Sequence, residues 1–196
     1  MLSHSVLTNP DYDVPAVPDA RAGVAWLRAG VPRFSRGATH ERRRALAIEE
    51  LAHIDPDSLR KDAGGPVEVL AEALGLPAGL DHDVELVAAC YQPHIAITDE
   101  ADQAVDRLVS ACGGVPDEAT ANRIGLLVQA CVATKALARN PDEPPVPVTR
   151  RVAPDGALVE VNLTEAPFGA GSHACPGRAH ALAIVDGMVG RATPTT

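Results

Sequence analysis

Apolar residues recur along most of this chain at the three- and four-residue spacing that is typical of amphipathic α-helices. In the second helical stretch, Thr39 is the predicted N-cap, and Leu46, Ile48 and Leu51 are predicted to face the core. The longest stretch is apolar on nearly every side in its middle, which is typical of a helix buried at the centre of a domain. The predicted helices cover residues 19–28, 39–53, 67–74, 84–91, 117–139 and 178–189, with one more that begins after a capping Thr98.

Two segments depart from the helical pattern. Residues 1–18 contain three prolines among polar residues, which predicts an extended arm on the surface. Farther along the chain, VTRRV and ALVEV flank the turn residues Asp155 and Gly156, which predicts a β-hairpin. A Gly-rich loop, FGAGSHACPG, then leads into the last helix. We therefore expect a single, mainly α-helical domain over residues 1–196 with one small hairpin before this loop.

Composition and charge exclude several classes of protein. The net charge of −9 argues against a nucleic-acid-binding protein, since phosphates demand a basic surface. No stretch approaches the apolar length that crosses a membrane, and the first residues do not resemble a secretory signal, so we expect a cytoplasmic protein without membrane contact. The 4 cysteines are scattered and form no CxxC pair. Neither a disulfide scaffold nor a zinc site is therefore expected.

The Gly-rich loop carries the strongest chemical signal. Residues 168–177 match the pattern F-x-x-G-x-[HR]-x-C-x-G without a gap, and Cys175 stands just before the last predicted helix. A thiolate there is favoured by the positive end of the helix and by backbone N–H groups, which glycines allow to approach closely. The loop resembles the haem-ligand loop of the cytochrome P-450 family. The alternative is a buried structural cysteine at a loop-to-helix junction.

The resemblance implies a cofactor and a set of ligands. Cys175 would ligate the iron of haem b, and Phe168, Gly169 and Gly177 would shape the loop that presents the sulfur. The fold implied is a truncated cytochrome P-450-like helical fold, because the family's Glu-x-x-Arg helix and much of its scaffold have no counterpart in this chain.

The same resemblance implies four residues that bind the haem propionates. His40 and Arg44 lie one helical turn apart and so share a face, although such a pair taken alone is more often solvated surface. Arg151 is assigned on the predicted hairpin in preference to Arg150, and His173 is assigned in the loop. Cationic groups and neutral donors suit two carboxylates.

The middle of the longest helix, ACVAT, aligns with the family's A-G-x-[DE]-T segment, which relays protons during oxygen activation. Thr134 matches the threonine of this segment, and the resemblance assigns it a catalytic role. Ala133 replaces the acid, and Cys131 replaces the glycine that makes room for a diatomic ligand. A peroxide-driven or a non-oxygenating haem reaction therefore fits better than reductase-driven hydroxylation. Alternatively, Thr134 is a core threonine that bonds to its own helix backbone.

These observations predict a haem-thiolate enzyme that carries out an oxidative or peroxide-driven reaction on a small organic substrate in specialised-metabolite biosynthesis. The alternative is a non-catalytic haem-binding accessory or sensor protein, or a degenerate relative that partners a full-length enzyme. Because the missing elements would leave an apolar haem surface uncovered, we expect a homodimer or a complex. Whether a redox partner is needed stays open.

Overall fold

A computed structural model of the chain describes residues 2–140 and 143–190. These residues form seven α-helices and one antiparallel sheet of two strands, which confirms the predicted mainly helical fold with a small hairpin. The helices are α1 Gly23–Gly30, α2 Gly37–Ala52, α3 Pro66–Ala73, α4 Asp81–Cys90, α5 Asp99–Ala111, α6 Glu118–Arg139 and α7 Arg178–Met188. The strands are β1 Val148–Val152 and β2 Leu158–Asn162, and short 3-10 turns cover His4–Thr8, Pro32–Phe34, Pro56–Leu59 and Gly171–His173.

Helix α6 lies at the centre of the fold, as its apolar sequence predicts. It contacts every other α-helix of the described residues, and Ile124, Leu127 and Val128 on it are buried. One side is nevertheless open, because Val132 is 54% exposed and Ala133 is only half-buried. Within the described ranges, no helix is long and apolar enough to cross a membrane.

The N-terminal ends of two helices show how glycine and capping residues set the boundaries. Thr98 caps α5 as predicted, since its hydroxyl oxygen accepts a hydrogen bond from the backbone N–H of Ala101 at 3.2 Å. The prediction that Thr39 caps α2 is wrong. Gly37 has a φ of +51°, which turns the chain into the helix before Thr39 is reached.

Helix α1 begins later than predicted, at Gly23. The Asp102 carboxylate on α5 accepts a hydrogen bond from the backbone N–H of Val24 at 2.8 Å, so a residue distant in sequence supplies the acceptor for the first turn. Gly23 has a φ of +64°, and a Cβ there would collide with the same carboxylate. A tertiary contact therefore sets this boundary.

The buried face of α2 differs from the prediction. Ile48 is 47% exposed and Leu46 is only half-buried, whereas His40, Ala47 and Leu51 are buried. Ala47 is two helical turns from His40 and Leu51 is one turn from Ala47, so the three positions share one face. The helix therefore turns a histidine, and not only aliphatic residues, towards the rest of the protein.

The hairpin is held at both outer edges by the N-terminal arm. Strands β1 and β2 pair along their whole length. Leu2 pairs with Val161 of β2, and Asp13 pairs with Val152 of β1. Leu7, in the 3-10 turn between them, packs with Val161 in a small separate core. The arm is thus bound to the sheet by backbone hydrogen bonds as well as by surface packing.

Candidate functional site

The loop before α7 closes tightly and presents Cys175. The backbone N–H of Cys175 donates to the carbonyl oxygen of Phe168 at 2.8 Å, which brings the two ends of the loop together. Gly169 and Gly171 have φ values of +71° and +68°, a conformation that favours glycine. A side chain at Gly171 would also collide with the carbonyl oxygen of Leu7 in the arm. The glycines of the motif therefore let the loop fold close to neighbouring backbone.

Cys175 is a solvent-exposed residue, so its interpretation as a buried structural cysteine is wrong. The atoms around its sulfur still desolvate the thiol, which raises its pKa. The backbone N–H of Gly177 and the charges of Arg44 and Arg33 act in the opposite direction and favour the thiolate. The thiol therefore has one hydrogen-bond donor and two cations nearby, and a bound metal ion would complete its deprotonation.

Two histidines that were assigned from distant segments lie against each other. The rings of His40 and His173 stack with centroids 3.9 Å apart and planes 25° apart. His173 Nε2 lies 3.2 Å from the carbonyl oxygen of Ser35 and therefore donates to it, while Nδ1 lies 3.1 Å from the hydroxyl of Ser172. His40 is 4% exposed, so it does not belong to a solvated surface.

Burial and neighbouring charge keep both rings neutral. Desolvation is the main cause that lowers the pKa of His173 to about 4, and the nearby His40, Arg151 and Arg44 lower it further. Desolvation and then Arg44 also lower the pKa of His40. At neutral pH the two rings therefore act as neutral hydrogen-bonding groups.

Strand alternation separates Arg151 from Arg150. Arg151 is 8% exposed and donates to Thr149 Oγ1 at 3.3 Å and to the backbone oxygen of Arg150 at 2.9 Å. Desolvation and then the charge of Arg33 lower the pKa of the Arg151 guanidinium. The side chain of Arg150 instead pairs with Glu160 at 3.5 Å on the other strand. The inward position on β1 thus belongs to Arg151.

The cations around the loop lack anionic partners. Among the described residues, none of Arg33, Arg44 and Arg151 has a carboxylate oxygen within 4.0 Å, whereas Arg36 pairs with Asp13 at 3.3 Å. Arg151 is buried, and Arg33 and Arg44 are half-buried. Removing a charge from water without a counter-ion is costly, so this cluster suits an anionic ligand. Arg33 was missed by the sequence analysis. Its position in the segment that leads into His40 was the available signal.

Thr134 lies in a different environment, within the packed part of α6. It has no exposed surface, and its hydroxyl oxygen makes no hydrogen bond to any described residue. The alternative in which it bonds to its own helix backbone is therefore wrong. Cys131 is buried beside Lys135 of the same helix, and burial raises the pKa of its thiol. The structure thus places His40, Arg44, Arg151, His173 and Cys175 close enough to act on one another through the ring stack or through charge, whereas no such relation to Thr134 is found among the described residues.

Comparison with known proteins finds similarity among solved structures. No family model matches the chain, and neither does any curated protein. Among solved structures, the chain is similar to P450BioI in complex with hexadec-9Z-enoic acid ligated acyl carrier protein, with a TM-score of 0.62 and 14% identity over 95% of this chain and 81% of that chain. The chain has a cytochrome P450 fold. At this identity, the likeness concerns the fold alone.

In a P450 fold, the donor set described above can be tested against haem. The unpaired Arg33, Arg44 and Arg151 fit a ligand with two carboxylates, and Cys175 fits an iron that takes a single thiolate. No group of three or more His, Cys, Asp or Glu residues that could hold a bare metal ion occurs among the described residues. Phe168 is half-buried beneath the guanidinium of Arg178, 5.2 Å from its ring centre. The residues around the loop therefore fit haem.

Two surface cavities lie away from the thiol. One of about 320 Å³ lies between α2, α3 and α6, and its lining includes Leu46 and Arg123. The other, of about 380 Å³, adjoins the site through Phe34 and Ser35. Neither is lined by Cys175.

Proposed function

We propose that this protein is a truncated member of the cytochrome P-450 family that binds haem b through the thiolate of Cys175. The observation that supports this proposal is the meeting of residues from three separate segments. His40 and Arg44 come from α2, Arg151 comes from β1, and His173 and Cys175 come from the loop. The sequence resemblance assigns each of them to haem, and a chance match of the loop motif would not bring the other segments to it.

The residues around Cys175 would bind different parts of the cofactor. The guanidinium groups of Arg44, Arg151 and Arg33 would pair with the two propionates, which supply the missing negative charge. The neutral His173 would add a hydrogen bond at the same edge. The backbone N–H of Gly177, which bonds to the thiol, tempers the basicity of the sulfur.

We further propose an oxidative or peroxide-driven reaction on a small organic substrate, in the biosynthesis of a specialised metabolite. Haem with a thiolate ligand supplies electron density that favours cleavage of an O–O bond. Ala133 has no ionisable group, and the Thr134 hydroxyl is the polar side chain that remains in this segment of α6. A peroxide brings its own electrons and protons, so it does not require the missing acid.

One observation favours a second function, that of a non-catalytic haem-binding accessory or sensor protein. Thr134 has no exposed surface, and its hydroxyl makes no hydrogen bond to any residue within 2–140 and 143–190. A group that delivers protons must be reachable from solvent or substrate. Peroxide-dependent oxidation of a chromogenic donor by the haem-loaded protein supports the enzyme, whereas tight haem binding without turnover supports the second function.

The proposed partners are a small-molecule substrate and a second protein chain. The similar structure holds P450BioI with a fatty acid ligated to acyl carrier protein. For this chain we propose a free small-molecule substrate, together with a homodimer or a complex that covers the exposed haem surface.

Spectroscopy of the haem-loaded protein tests the central proposal. The ferrous carbon-monoxide complex should show the strongly red-shifted Soret band of thiolate ligation, and Cys175→Ala should abolish it. The changes Cys90→Ser, Cys112→Ser and Cys131→Ser serve as matched controls and should leave the band in place. A thiolate spectrum that persists in Cys175→Ala would show that another cysteine is the ligand.

A further inference from the structure

His180 lies in the first turn of α7, shortly after Cys175, and its ring reaches the end of α2. His180 Nε2 lies 3.0 Å from the carbonyl oxygen of Leu51 and 3.1 Å from that of Ile54. Both partners are acceptors, so Nε2 carries the hydrogen and donates to them. The last carbonyl groups of a helix have no donor within that helix. The backbone N–H of Ile54, just beyond the helix, donates to Leu51 at 3.1 Å, and His180 adds a second donor from a neighbouring element.

Helix α2 also contacts the loop near its other end. His40 stacks on His173, and His173 donates to Ser35, which lies just before α2. At 1.5 Å per residue, these contacts and those of His180 are roughly 16 Å apart along the helix axis. Cys175 lies between His173 and His180 in sequence. The segment that carries the thiol is thus attached to α2 at two well-separated points.

Packing at the second point is close. A Cβ atom at Gly177 would lie only 3.4 Å from Leu51 Cδ1, so the backbone that follows the cysteine rests on α2. His180 Nδ1 is buried and makes no hydrogen bond within the described ranges. An unpaired buried acceptor lowers stability. The two hydrogen bonds at Nε2 must offset that loss for the ring to stay in this place.

We propose that His180 is a positioning residue that fixes the Cys175 sulfur relative to Arg44 on α2. It does so by holding α7 against the end of α2, and it does not touch the thiol. The inference rests on the proposed haem-thiolate function, since a metal ligand must be held in place by its supporting shell. Its structural part can be tested without haem.

Two substitutions separate the donor from the ring. His180→Gln keeps a donor near the position of Nε2, whereas His180→Leu removes it. In the leucine variant the Ile54 carbonyl loses this donor, and the Leu51 carbonyl keeps the backbone N–H of Ile54 at 3.1 Å. We expect His180→Leu to lose haem roughly tenfold faster than the unchanged protein. Part of its ferrous carbon-monoxide Soret band should also move to the shorter wavelength of a protonated or displaced thiol. His180→Gln should restore both properties.

His53, which follows directly after α2, provides a matched control. Its Nδ1 also lies near a backbone oxygen, that of Glu49, at 2.7 Å, but the residue is exposed. His53→Leu removes one histidine-to-backbone hydrogen bond from α2 without releasing α7. It should change neither the haem dissociation rate nor the spectrum.

Alkylation of the haem-free protein distinguishes a failure of the positioning role from a failure of the proposed haem-thiolate function. In His180→Leu, Cys175 should move away from Arg44, so its alkylation rate at fixed pH should fall roughly threefold or more, as measured by peptide mass spectrometry. If this fall occurs while the unchanged protein shows no thiolate spectrum with haem, the positioning role stands and the proposed function is wrong.

An unchanged alkylation rate, spectrum and haem dissociation rate in a folded His180→Leu would overturn the positioning role and leave the proposed function intact. Circular dichroism verifies the fold. Should the leucine variant not fold, His180→Asn takes its place with the same expectations, because its shorter amide does not reach the position of Nε2.

Discussion

His40 and His173 stack with their ring centroids 3.9 Å apart, although one belongs to α2 and the other to the loop that presents Cys175. The contact places two neutral imidazoles beside Arg44 and Arg151. A proton on either ring would add a positive charge that both guanidinium groups repel. A proton on each ring would also make the two rings repel each other. The stack therefore depends on the histidines staying unprotonated.

This dependence predicts that stability falls in acid. The pKa of His173 is lowered from 6.5 to about 4 in the folded protein. As pH falls from 6.5 towards 4, the unfolded chain binds a proton at this residue that the folded chain does not bind, so the free energy of unfolding decreases. Denaturant unfolding between pH 7 and pH 4.5 measures the slope. His173→Gln should flatten it, and an equally steep slope in that variant would assign the effect to other groups.

Replacing Arg151 should weaken haem retention. The buried guanidinium lacks a carboxylate partner within the described residues and would form a charge-assisted bond with a propionate. We expect Arg151→Ala to cost about 1–3 kcal/mol of binding free energy in a haem-transfer assay. Arg150→Ala is the control, since its side chain pairs with Glu160 on the other strand. Equal losses in both variants would contradict the propionate assignment.

Thr134→Val should stabilise the haem-free protein. The Thr134 hydroxyl is fully buried without a hydrogen bond, and valine has nearly the same shape without a polar atom. We expect a gain of about 1 kcal/mol in the free energy of unfolding, measured with denaturant. If peroxide-dependent turnover falls in the same variant, the hydroxyl serves catalysis at the expense of stability. A loss of stability would show that the hydroxyl has a partner in solution.

Replacing Arg28 should destabilise the fold without any effect specific to haem. Arg28 is 8% exposed. Its guanidinium donates to backbone carbonyls at the end of α4 and in the connection to α5, namely those of Cys90, Tyr91, Gln92 and Ile95. Arg28→Leu removes this donor from all four carbonyls, of which that of Gln92 keeps the backbone N–H of Ile95, so we expect a loss of roughly 3 kcal/mol or more in unfolding experiments. Arg107→Leu breaks only an exposed pair with Asp83 and should matter little.

Light scattering of the haem-loaded protein tests the expected dimer or complex. Val132 on α6 is 54% exposed, and the half-buried Ala133 lies next to it, so this side of the central helix is not covered by the described chain. We expect the mass of a homodimer at micromolar concentration. A monomer that holds haem tightly would refute this expectation, because the cofactor would then need no second chain to cover it.

Much of this architecture follows from local pattern. The bounds of α6 and of both strands are close to those predicted, because a long apolar period and an Asp155-Gly156 turn are strong local signals. The loop motif placed Cys175 at a loop-to-helix junction, and the structure has it there. The roles of the predicted site residues remain predictions.

The features that the sequence did not reveal are set by contacts between distant segments. Helix α1 starts where the Asp102 carboxylate meets Val24, and no local pattern encodes that partner. Ile48 is apolar yet exposed. The face of α2 that packs inward is the one that carries His40, which stacks on His173 of the loop. The sequence does not indicate a role for His180, because no local pattern shows that its ring reaches a carbonyl group at the end of α2.

The pairing of the N-terminal arm with both edges of the hairpin has a consequence for the order of folding. Leu2 and Asp13 leave the ribosome well before Val161 and Val152, with which they pair. The arm therefore stays unpaired until the hairpin has been synthesised. Contacts between such distant residues slow folding, because a large loop must close before they form. Until the arm has paired, the outer edges of β1 and β2 are open to pairing with other chains. Low temperature and a low expression level are therefore the favourable conditions for producing this protein.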